Sequence, residues 1–442
     1  MIMRMKLSCV ALVFICFATA CEPLQTPAAT PASSSTLIIP PTREPTSTIL
    51  PTQTLVFLPE PTSTATPQPQ EIPFFQRVTS LTDHPLNPYM DLQVRALAEG
   101  SLWIITNQSV LRWYDQKWEE ILSESKDFLA AVDDSGRLWV LRQDMSKIDA
   151  WQAGKWMTYG AESGWTDPVS SPTNWWAPIP WSLYNDAEGT LWAPMARDVR
   201  AFDGNRWTVY SLTDMGFAQP DMEDISIVHS LATAKAGAEV WVGECYYSGP
   251  GPMGGGGVRW FDGKIWQAGN IPDGATCVST LQEDLAENVW LGSYGSIWRF
   301  EHTTQSWTEY RLPKELLFDY NFAYPQQLII DRVGDVWVIM QMCGGASCSG
   351  LSNLYRVHNG EWSLVIDAQS WSSQKMQLAL DSGGQGWLFG DGNVFQLEGG
   401  SAIPVASIET RGIGVDPDGR VWVIAQIGND LALLFLNPQG EE

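Results

Sequence analysis

The chain has 442 residues and a formal net charge of −24, with 50 acidic side chains against 26 basic ones. Because its Lys and Arg residues form no basic patch, the sequence argues against a nucleic-acid-binding protein, and we expect no nucleic-acid partner. An acidic surface is typical of a soluble extracellular protein, and no apolar run beyond the first twenty residues is long enough to cross a membrane.

The first twenty residues have the pattern of a secretory signal. Two basic residues precede an apolar run over 7–17 that is too short to span a bilayer. The ending ATAC is similar to the bacterial lipobox, in which the Cys is lipidated and becomes the new N-terminus, although Ala18 replaces the usual Leu. We therefore predict a signal peptide over 1–20 and a lipid on Cys21, which would anchor an exported protein to the outer face of the cell membrane or the cell surface. Cleavage of an ordinary signal peptide near Ala20 is the alternative.

Residues 21–72 follow as a segment rich in Pro, Thr, Ser and Ala. Such a composition cannot bury enough apolar surface to offset the entropy of ordering, and its prolines favour extended conformations. We predict a disordered stalk over 21–72 and a folded domain over 73–442.

Eight segments of the folded domain share a tryptophan between apolar residues, and successive tryptophans are 35 to 53 residues apart. Repeats of this length indicate a propeller, a solenoid or an array. The eight tryptophans are Trp103, Trp139, Trp192, Trp241, Trp290, Trp337, Trp387 and Trp422.

Two turn motifs recur in register with these tryptophans. Six repeats place an Asp six residues before the Trp, and in five of them a Gly follows three residues after the Asp; Asp-x-x-Gly between apolar strands is a tight turn. The aspartates are Asp133, Asp186, Asp284, Asp331, Asp381 and Asp416. Later in several repeats an Asp-Gly or Asn-Gly turn precedes a second Trp, which is a strong hairpin signal.

Each repeat therefore contains four short strands, a to d, and four antiparallel strands per unit indicate an all-β fold, a β-propeller of about eight blades. In the third repeat we predict the strands at 182–185, 191–195, 199–202 and 207–210. The last repeat ends after strand c, and residues 74–80 can supply its missing strand d, which closes the ring and removes two exposed edges. We expect nearly all of the tryptophans to fill the spaces between blades.

The Asp-x-x-Gly-x-Leu/Val-Trp and Asp-Gly-x-x-Trp motifs resemble the two-component regulator propeller repeat, which is also seen in virginiamycin B lyase-like proteins. The resemblance covers roughly residues 74–442 and implies the propeller fold. Repeats 1 and 4 lack the Asp, and seven blades is the alternative count.

Connectivity predicts which face is functional. The a–b and c–d turns lie on one face of a propeller, and here they are short. The b–c and d–a connections lie on the other face, and they include all of the long segments: 161–180, 211–226, 245–257, 313–326 and 341–352. Because loops on a rigid scaffold often carry function, we expect the functional face to be the one with the long segments.

Five aromatic residues of these segments are candidate binding residues for a protein or polysaccharide: Trp165, Trp175, Trp176, Tyr246 and Tyr247. For the three tryptophans the alternative is that they fold back to cap blades 2 and 3.

Four cysteines follow Cys21, an even number that permits disulfides in an exported chain. We predict a Cys343–Cys348 pair and a Cys245–Cys277 pair, with four free cysteines as the alternative. No His lies at ligand spacing from these cysteines, so we expect no metal site.

Signatures of catalysis are sparse, and we expect no cofactor. The chain has no Gly-x-Ser-x-Gly or His-Glu-x-x-His motif. His302 and His358 lie at predicted c–d turns, where we expect exposed side chains. His229 opens strand a of blade 4 and is therefore a candidate channel residue for acid–base chemistry.

We therefore favour a non-catalytic, monomeric module for extracellular recognition or scaffolding, with its partner at the face of the long connections. The alternatives are an extracellular lyase or hydrolase that uses channel residues and a ligand-sensing subunit of a signalling complex.

Overall fold

The structure is a computed structural model. It describes residues 75–81, 92–166, 183–195, 198–217, 225–233, 239–248, 251–252, 257–271, 275, 277–317, 320, 322–344, 347–367, 376–390, 392–428 and 430–437, all of which belong to one compact unit, Pro69–Glu442. At 184, 225–233, 245–248, 251–252, 344 and 347–350 the backbone alone is described. In these ranges no helix is both long and apolar enough to cross a membrane.

Eight antiparallel sheets make up the described part of the chain, which confirms the propeller and its eight blades. Strands a to d follow one another in chain order within blades 1 to 7. Blade 1 contains β2 (Gln93–Ala96), β3 (Leu102–Ile105), β4 (Ser109–Tyr114) and β5 (Lys117–Ser123), and blade 2 contains β6 (Phe128–Val132), β7 (Leu138–Arg142), β8 (Ile148–Gln152) and β9 (Lys155–Tyr159). Blade 3 contains β10 (Tyr184–Asn185), β11 (Leu191–Pro194), β12 (Asp198–Phe202) and β13 (Trp207–Ser211). Blade 4 contains β14 (Ile225–Thr233), β15 (Val240–Ser248), β17 (Gly257–Phe261) and β18 (Trp266–Ala268), with β16 (Gly251–Pro252) paired to β15.

Blades 5 to 8 repeat the same order, except that the last one takes its outer strand from the N-terminal end of the domain. Blade 5 contains β19 (Thr280–Glu283), β20 (Val289–Ser293), β21 (Ser296–Glu301) and β22 (Ser306–Arg311), and blade 6 contains β23 (Phe322–Ile330), β24 (Val336–Gly344), β25 (Ser347–His358) and β26 (Glu361–Ile366). Blade 7 contains β27 (Met376–Leu380), β28 (Gly386–Gly390), β29 (Asn393–Glu398) and β30 (Ser401–Ala406). Blade 8 contains β31 (Glu409–Val415), β32 (Val421–Ile427), β33 (Asp430–Leu436) and β1 (Phe75–Ser80). Two short 3₁₀ helices, Ala161–Ser163 and Lys314–Leu316, lie in connections between blades.

The ring closes as the sequence predicts. Strand β1 pairs antiparallel with β33, from Phe75 opposite Leu436 to Ser80 opposite Ala432. Across the junction between blades 8 and 1, Leu433 packs in one buried cluster with Leu92 and Leu102. The first and last strands of the domain therefore cover each other's exposed edges, and no blade is left without a neighbour.

The core is divided among the spaces between blades. Each of the eight hydrophobic clusters joins two neighbouring blades around the ring. The repeated tryptophans contribute to all eight clusters, as predicted, and Trp103, Trp139, Trp337 and Trp387 are 0% exposed. Burying a large apolar side chain contributes roughly 1.5–3 kcal/mol, so the repeats obtain their stability from adjacent blades.

The repeated aspartate has a second role that the sequence did not reveal. In six blades the Trp indole nitrogen donates to Oδ2 of the Asp six residues earlier, at 2.8–3.0 Å, while Oδ1 of the same Asp accepts a backbone N–H of the turn. In blade 1, which lacks the Asp, Ser101 Oγ accepts the indole N–H of Trp103 at 3.1 Å. Each carboxylate therefore shapes its turn and satisfies the buried indole donor.

Candidate functional site

Strand a is the innermost strand of the blades. From blade 3 round to blade 1, each strand a contacts strand a of the next blade, so these strands line the central axis. Each strand a enters from a d–a connection, and the b–c connections lie at the same end. The face that carries these connections is therefore also one mouth of the channel, and we call it the long-connection face.

Strand a of blades 4, 6 and 8 contains a β-bulge at corresponding places. The register with strand b shifts at His229, at Gln326 and at Arg411, respectively. In each blade the bulge residue lies three residues before the residue that pairs with the repeated Trp, on the side of that pair toward the long-connection face. Because a bulge re-aims a side chain and is frequent beside functional sites, the bulges mark this mouth as the candidate site.

Two bulge residues have described side chains, and both are polar. Gln326 is exposed; its amide donates to Gln341 Oε1 at 3.3 Å and its Oε1 accepts from Ser352 Oγ at 3.1 Å. Arg411 pairs with Glu409 at 2.8 Å, while its buried Nε has no acceptor among the described residues. This mouth therefore offers hydrogen-bond donors and acceptors from different blades.

Blades 4 and 6 are elongated on the same face. The segments 245–257 and 341–352, which the sequence suggested as loops, are largely strand, because β15 continues to Ser248 and β24 and β25 continue the b–c hairpin of blade 6. Blade 5 between them turns tightly at 294–295. Continued backbone pairing, rather than irregular loop, thus extends two blades past their shared neighbour.

An aromatic group lies where blade 5 meets blade 6. The ring of Tyr294 lies 5.3 Å from that of Phe322 and 6.0 Å from that of Tyr324, centroid to centroid, and all three side chains are partly exposed. The Gly295 N–H donates to Ala323 O at 2.9 Å, which fixes the turn against strand a of blade 6. Partly exposed aromatic rings on a rigid turn are suited to stacking or to packing against a partner.

A buried tyrosine attaches the connection between these blades. Tyr355 donates its hydroxyl hydrogen to Leu316 O at 2.7 Å and accepts from Asn353 Nδ2 at 2.9 Å. Burial raises the pKa of the Tyr355 phenol above its ordinary value of 10.0. The phenol therefore stays protonated at neutral pH and holds the 3₁₀ helix Lys314–Leu316 as a hydrogen-bond donor.

In each predicted disulfide the backbones of the two cysteines lie close together. Cys343 and Cys348 are directly opposite each other in the ladder of β24 and β25. Beside Cys277, the Val278 N–H donates to Glu244 O at 3.0 Å, which brings this segment to the backbone next to Cys245. Both predicted pairs therefore have adjacent backbones on the long-connection face.

Trp165 is a core residue, so the folded-back alternative holds for this tryptophan. It is 0% exposed; its ring packs on Trp207 at 5.0 Å and its indole nitrogen donates to Met145 O at 3.0 Å. The guanidinium of Arg200, also fully buried, lies 4.2 Å from the Trp165 ring and donates to Thr166 O. Trp165 therefore anchors the root of the connection between blades 2 and 3.

The other predicted binding residues are less fully placed. Trp175 and Trp176 lie outside the described residues. Tyr246 and Tyr247 are in β15, where only the backbone is described, and His229 has its backbone at the bulge of β14. The bulge residues Gln326 and Arg411 were missed by sequence reasoning; their signal would have been a shift in the apolar alternation of strand a.

Two further histidines lie at the opposite face. His358 is exposed, as expected, and its Nδ1 contacts Oδ1 of the buried Asp335. His302 is only partly exposed, because its ring packs 5.1 Å from that of Phe300 and its Nε2 lies 3.8 Å from Glu239. Within the described ranges, no group of three His, Cys, Asp or Glu side chains could hold a metal ion.

No family model and no curated protein matches this sequence. Among solved structures, the Dos1 propeller is 12% identical and has a TM-score of 0.52, over 84% of this chain and 96% of the other. Virginiamycin B lyase from Staphylococcus aureus is 13% identical, with a TM-score of 0.41 over 82% and 99%. An extracellular domain of a hybrid two-component system from B. thetaiotaomicron is 14% identical, with a TM-score of 0.40. The match covers 81% of this chain and about half (53%) of the other. At these identities the likeness shows the fold alone, a β-propeller, and the number of eight blades rests on the sheets of this chain.

Proposed function

We propose that this protein is an exported recognition or scaffold module whose long-connection face binds a protein or a polysaccharide. The observation that carries the proposal is the concentration of special features at one face: bulges in the innermost strands of blades 4, 6 and 8, and extended hairpins in blades 4 and 6. A rigid scaffold that presents irregular features on one side is the usual arrangement of a binding surface.

The hydrogen-bonding groups around the Gln326 bulge favour binding over catalysis, and the Arg411–Glu409 ion pair lies at the same mouth. Gln326 and its partners Gln341 and Ser352 are neutral groups that form hydrogen bonds and do not exchange protons near neutral pH. Tyr294 and Phe322 add partly exposed aromatic surface. Neutral amides with aromatic rings suit a polysaccharide or a peptide, and Trp175 and Trp176 would enlarge the same face.

The binding test uses the chain from residue 73 onward as bait for envelope proteins and cell-wall polysaccharides of the native cells. The test variants are Trp175→Ala/Trp176→Ala and Gln326→Ala, and Glu188→Ala, in an exposed turn of the opposite face, is the matched control. We expect a partner that is retained by the control and lost by the test variants. Equal retention by all variants would contradict the proposal.

An enzymatic role is the competing function, because His229 lies at a bulge in an innermost strand. A polysaccharide that returns shortened after incubation with the chain, and returns intact after incubation with His229→Ala, would establish that role and overturn the non-catalytic one.

We further propose that the chain is monomeric and carries the disulfides Cys343–Cys348 and Cys245–Cys277 on the long-connection face. We also propose that a lipid on Cys21 anchors it. The anchor is supported by the apolar segment and the lipobox-like ending before Cys21. Labelling of bacterial cells with an alkyne-modified palmitate should mark the chain and fail to mark Cys21→Ser. A labelled Cys21→Ser protein, or an unlabelled parent chain, would contradict the lipid anchor.

A further inference from the structure

A row of polar side chains crosses blade 6 at the mouth of the channel. Register pairs Tyr324 of strand a with Gln341 of strand b, and Gln341 with Ser352 of strand c, so the three side chains share one face of the sheet. Gln326 joins the row from the bulge through its hydrogen bonds with Gln341 and Ser352. Gln326 is exposed, and Tyr324 and Gln341 are partly exposed. The row therefore presents an aromatic ring beside two amides.

Two more aromatic rings extend the row toward blade 5. The Tyr294 ring is tilted by 51° against that of Tyr324 and by 81° against that of Phe322. Phe322 and Tyr324 are two residues apart in strand a, so their side chains lie on the same face of it. All three rings are partly exposed, and none is stacked face to face with another of the group. Rings in this arrangement can pack against the apolar C–H face of a sugar ring.

Blade 7 contributes another amide at the same depth in the channel. Gln377 is exposed and lies two residues before the strand-a residue that pairs with the repeated Trp387. Gln326 lies three residues before the partner of Trp337, and the bulge accounts for the extra residue. Both amides offer N–H donors and a carbonyl acceptor, which match a hydroxyl group that donates and accepts at once.

The innermost strands at this place are poorly suited to pairing with a peptide. The side-chain amide of Gln327 donates to Leu378 O and accepts the Leu378 N–H, each at 2.8 Å, so these backbone groups of β27 are already occupied. In β23, Pro325 has no N–H to donate, and the bulge follows it directly. Because strand addition is the main source of affinity for an extended peptide, these edges favour a ligand that is read by side chains alone.

The charges around this mouth nearly cancel. The row, the three rings and Gln377 carry no charge at neutral pH. On the same face of blades 5 to 8, Lys314 and Glu315 lie together in one 3₁₀ helix, and Asp367 adds one negative charge. The other described charges there are paired: Glu309 with Arg311 at 3.0 Å, Glu409 with Arg411 at 2.8 Å and Asp430 with Arg77 at 4.0 Å. Neither an acidic nor a basic ligand gains an advantage from this balance.

We propose that the channel mouth between blades 5 and 7 binds a neutral glycan. One sugar ring packs on the Tyr324 and Tyr294 rings, and its hydroxyl groups bond to the amides of Gln326 and Gln377. This inference rests on the proposed function and deepens it, because it names the class of ligand that the long-connection face takes.

The test measures binding of defined oligosaccharides to the full chain by isothermal titration calorimetry. The neutral probes are hexasaccharides of glucose, mannose, galactose, xylose and N-acetylglucosamine, and the charged probes are hexagalacturonate and chitosan hexasaccharide. We expect at least one neutral probe to bind, and to bind more tightly than both charged probes. Its affinity should not change as the salt concentration is raised, because salt screens only charged groups.

Two variants and two matched controls locate the site. Tyr324→Thr should weaken binding of the neutral probe about tenfold or more, as for an interface anchor. Gln377→Ala, an exposed substitution that spares the core, should weaken it about threefold to tenfold through one lost hydrogen bond. Tyr114→Thr removes a 50% exposed tyrosine from a c–d turn of the opposite face, and Gln76→Ala removes an exposed amide from the outermost strand of blade 8. Both controls should bind like the parent chain.

Four results would each overturn the proposal: no binding of any neutral probe, tighter binding of a charged probe, an affinity that falls with salt, or equal affinities of Gln377→Ala and Gln76→Ala. Binding of a peptide of alternating Thr and Val that is lost in Tyr324→Thr, without glycan binding, would assign the mouth to a peptide instead. Capture of an envelope protein that depends on Trp175, Trp176 and Gln326, with no neutral probe bound, would keep the proposed function and overturn this inference alone.

Discussion

The indole nitrogen of Trp337 donates a hydrogen bond to Oδ2 of Asp331 at 2.9 Å, while Oδ1 of the same carboxylate accepts the N–H groups of Val333 and Asp335. Both ring and carboxylate are buried, at 0% and 9% exposure. One side chain thus closes the turn between strands a and b and satisfies a donor inside the space between blades.

Replacing that carboxylate tests its double role. Asp331→Ala should lower the free energy of unfolding by about 2–4 kcal/mol, because it leaves a buried indole N–H and two turn N–H groups without their acceptor. Asp331→Asn retains one acceptor oxygen and should cost less. Urea denaturation gives the values, and Glu188→Ala, an exposed residue of the corresponding turn in blade 3, is the control. Equal stability of Asp331→Ala and the control would contradict this role.

The same motif makes stability depend on acid pH. Burial by itself raises the pKa of the Asp284 carboxyl, but hydrogen bonds donated by Trp290, by Asn288 and by the turn backbone outweigh burial and hold the pKa below its ordinary value of 3.8. A carboxyl with a depressed folded pKa stabilises the fold above the unfolded pKa, and that contribution is lost as the pH falls through the folded pKa.

We therefore expect the free energy of unfolding to fall as the pH is lowered from about 5 through the folded pKa of Asp284. Asp284→Asn should be less stable at neutral pH and should show a shallower dependence on acid pH. Urea denaturation at a series of pH values measures both slopes, and parallel curves for the two proteins would show that Asp284 does not contribute.

Ring closure predicts an asymmetric response to N-terminal truncation. A chain that starts at residue 73 retains β1 and should keep the thermal midpoint of the parent. A chain that starts at residue 82 loses β1, which exposes the edge of β33. It also loses the partly buried side chains of Phe75 and Val78, which pack against the hydrophobic clusters on the two sides of blade 8. We expect this shorter chain to aggregate or to melt several degrees lower. Identical melting curves for the two truncations would be the opposite result.

The buried ion pair of blade 3 predicts a strongly destabilising single substitution. Arg200 Nε lies 2.8 Å from Asp198 Oδ1, with side-chain exposures of 0% and 7%. Arg200→Met leaves a buried carboxylate without its cation and removes the guanidinium from Trp165, and should cost about 3–5 kcal/mol. Asp198→Asn/Arg200→Met should regain part of that loss, and a double-mutant cycle from urea denaturation measures the coupling. Strict additivity would show that the pair is not coupled.

Peptide mapping without reduction tests the proposed disulfides. We expect one cross-linked peptide that joins Cys343 to Cys348 and another that joins Cys245 to Cys277, because each pair has adjacent backbones. Reduction should convert both into free peptides. A cross-link between the two pairs, such as Cys277 to Cys348, would contradict the assignment.

Much of this fold could be predicted from the sequence because short sequence patterns that recur along the chain determine it. The Asp-x-x-Gly turn and the alternation of apolar residues each involve a few neighbouring positions, and their repetition predicts both the four-stranded unit and the number of blades. Strand closure by residues 74–80 was also predictable, because a repeat that ends after strand c needs a partner for its edge.

The tertiary structure alone decided which aromatic side chains are covered. Trp165, outside the strand pattern, is buried because Arg200 and Trp207 of the next blade enclose it. Trp156, inside the pattern, is 43% exposed, although the corresponding Trp207 of blade 3 is buried. The bulge at Gln326 likewise depends on register between two strands. These outcomes depend on side chains from distant parts of the chain that meet only when the blades pack, so the sequence determined the ring, and packing between blades determined the surfaces it presents.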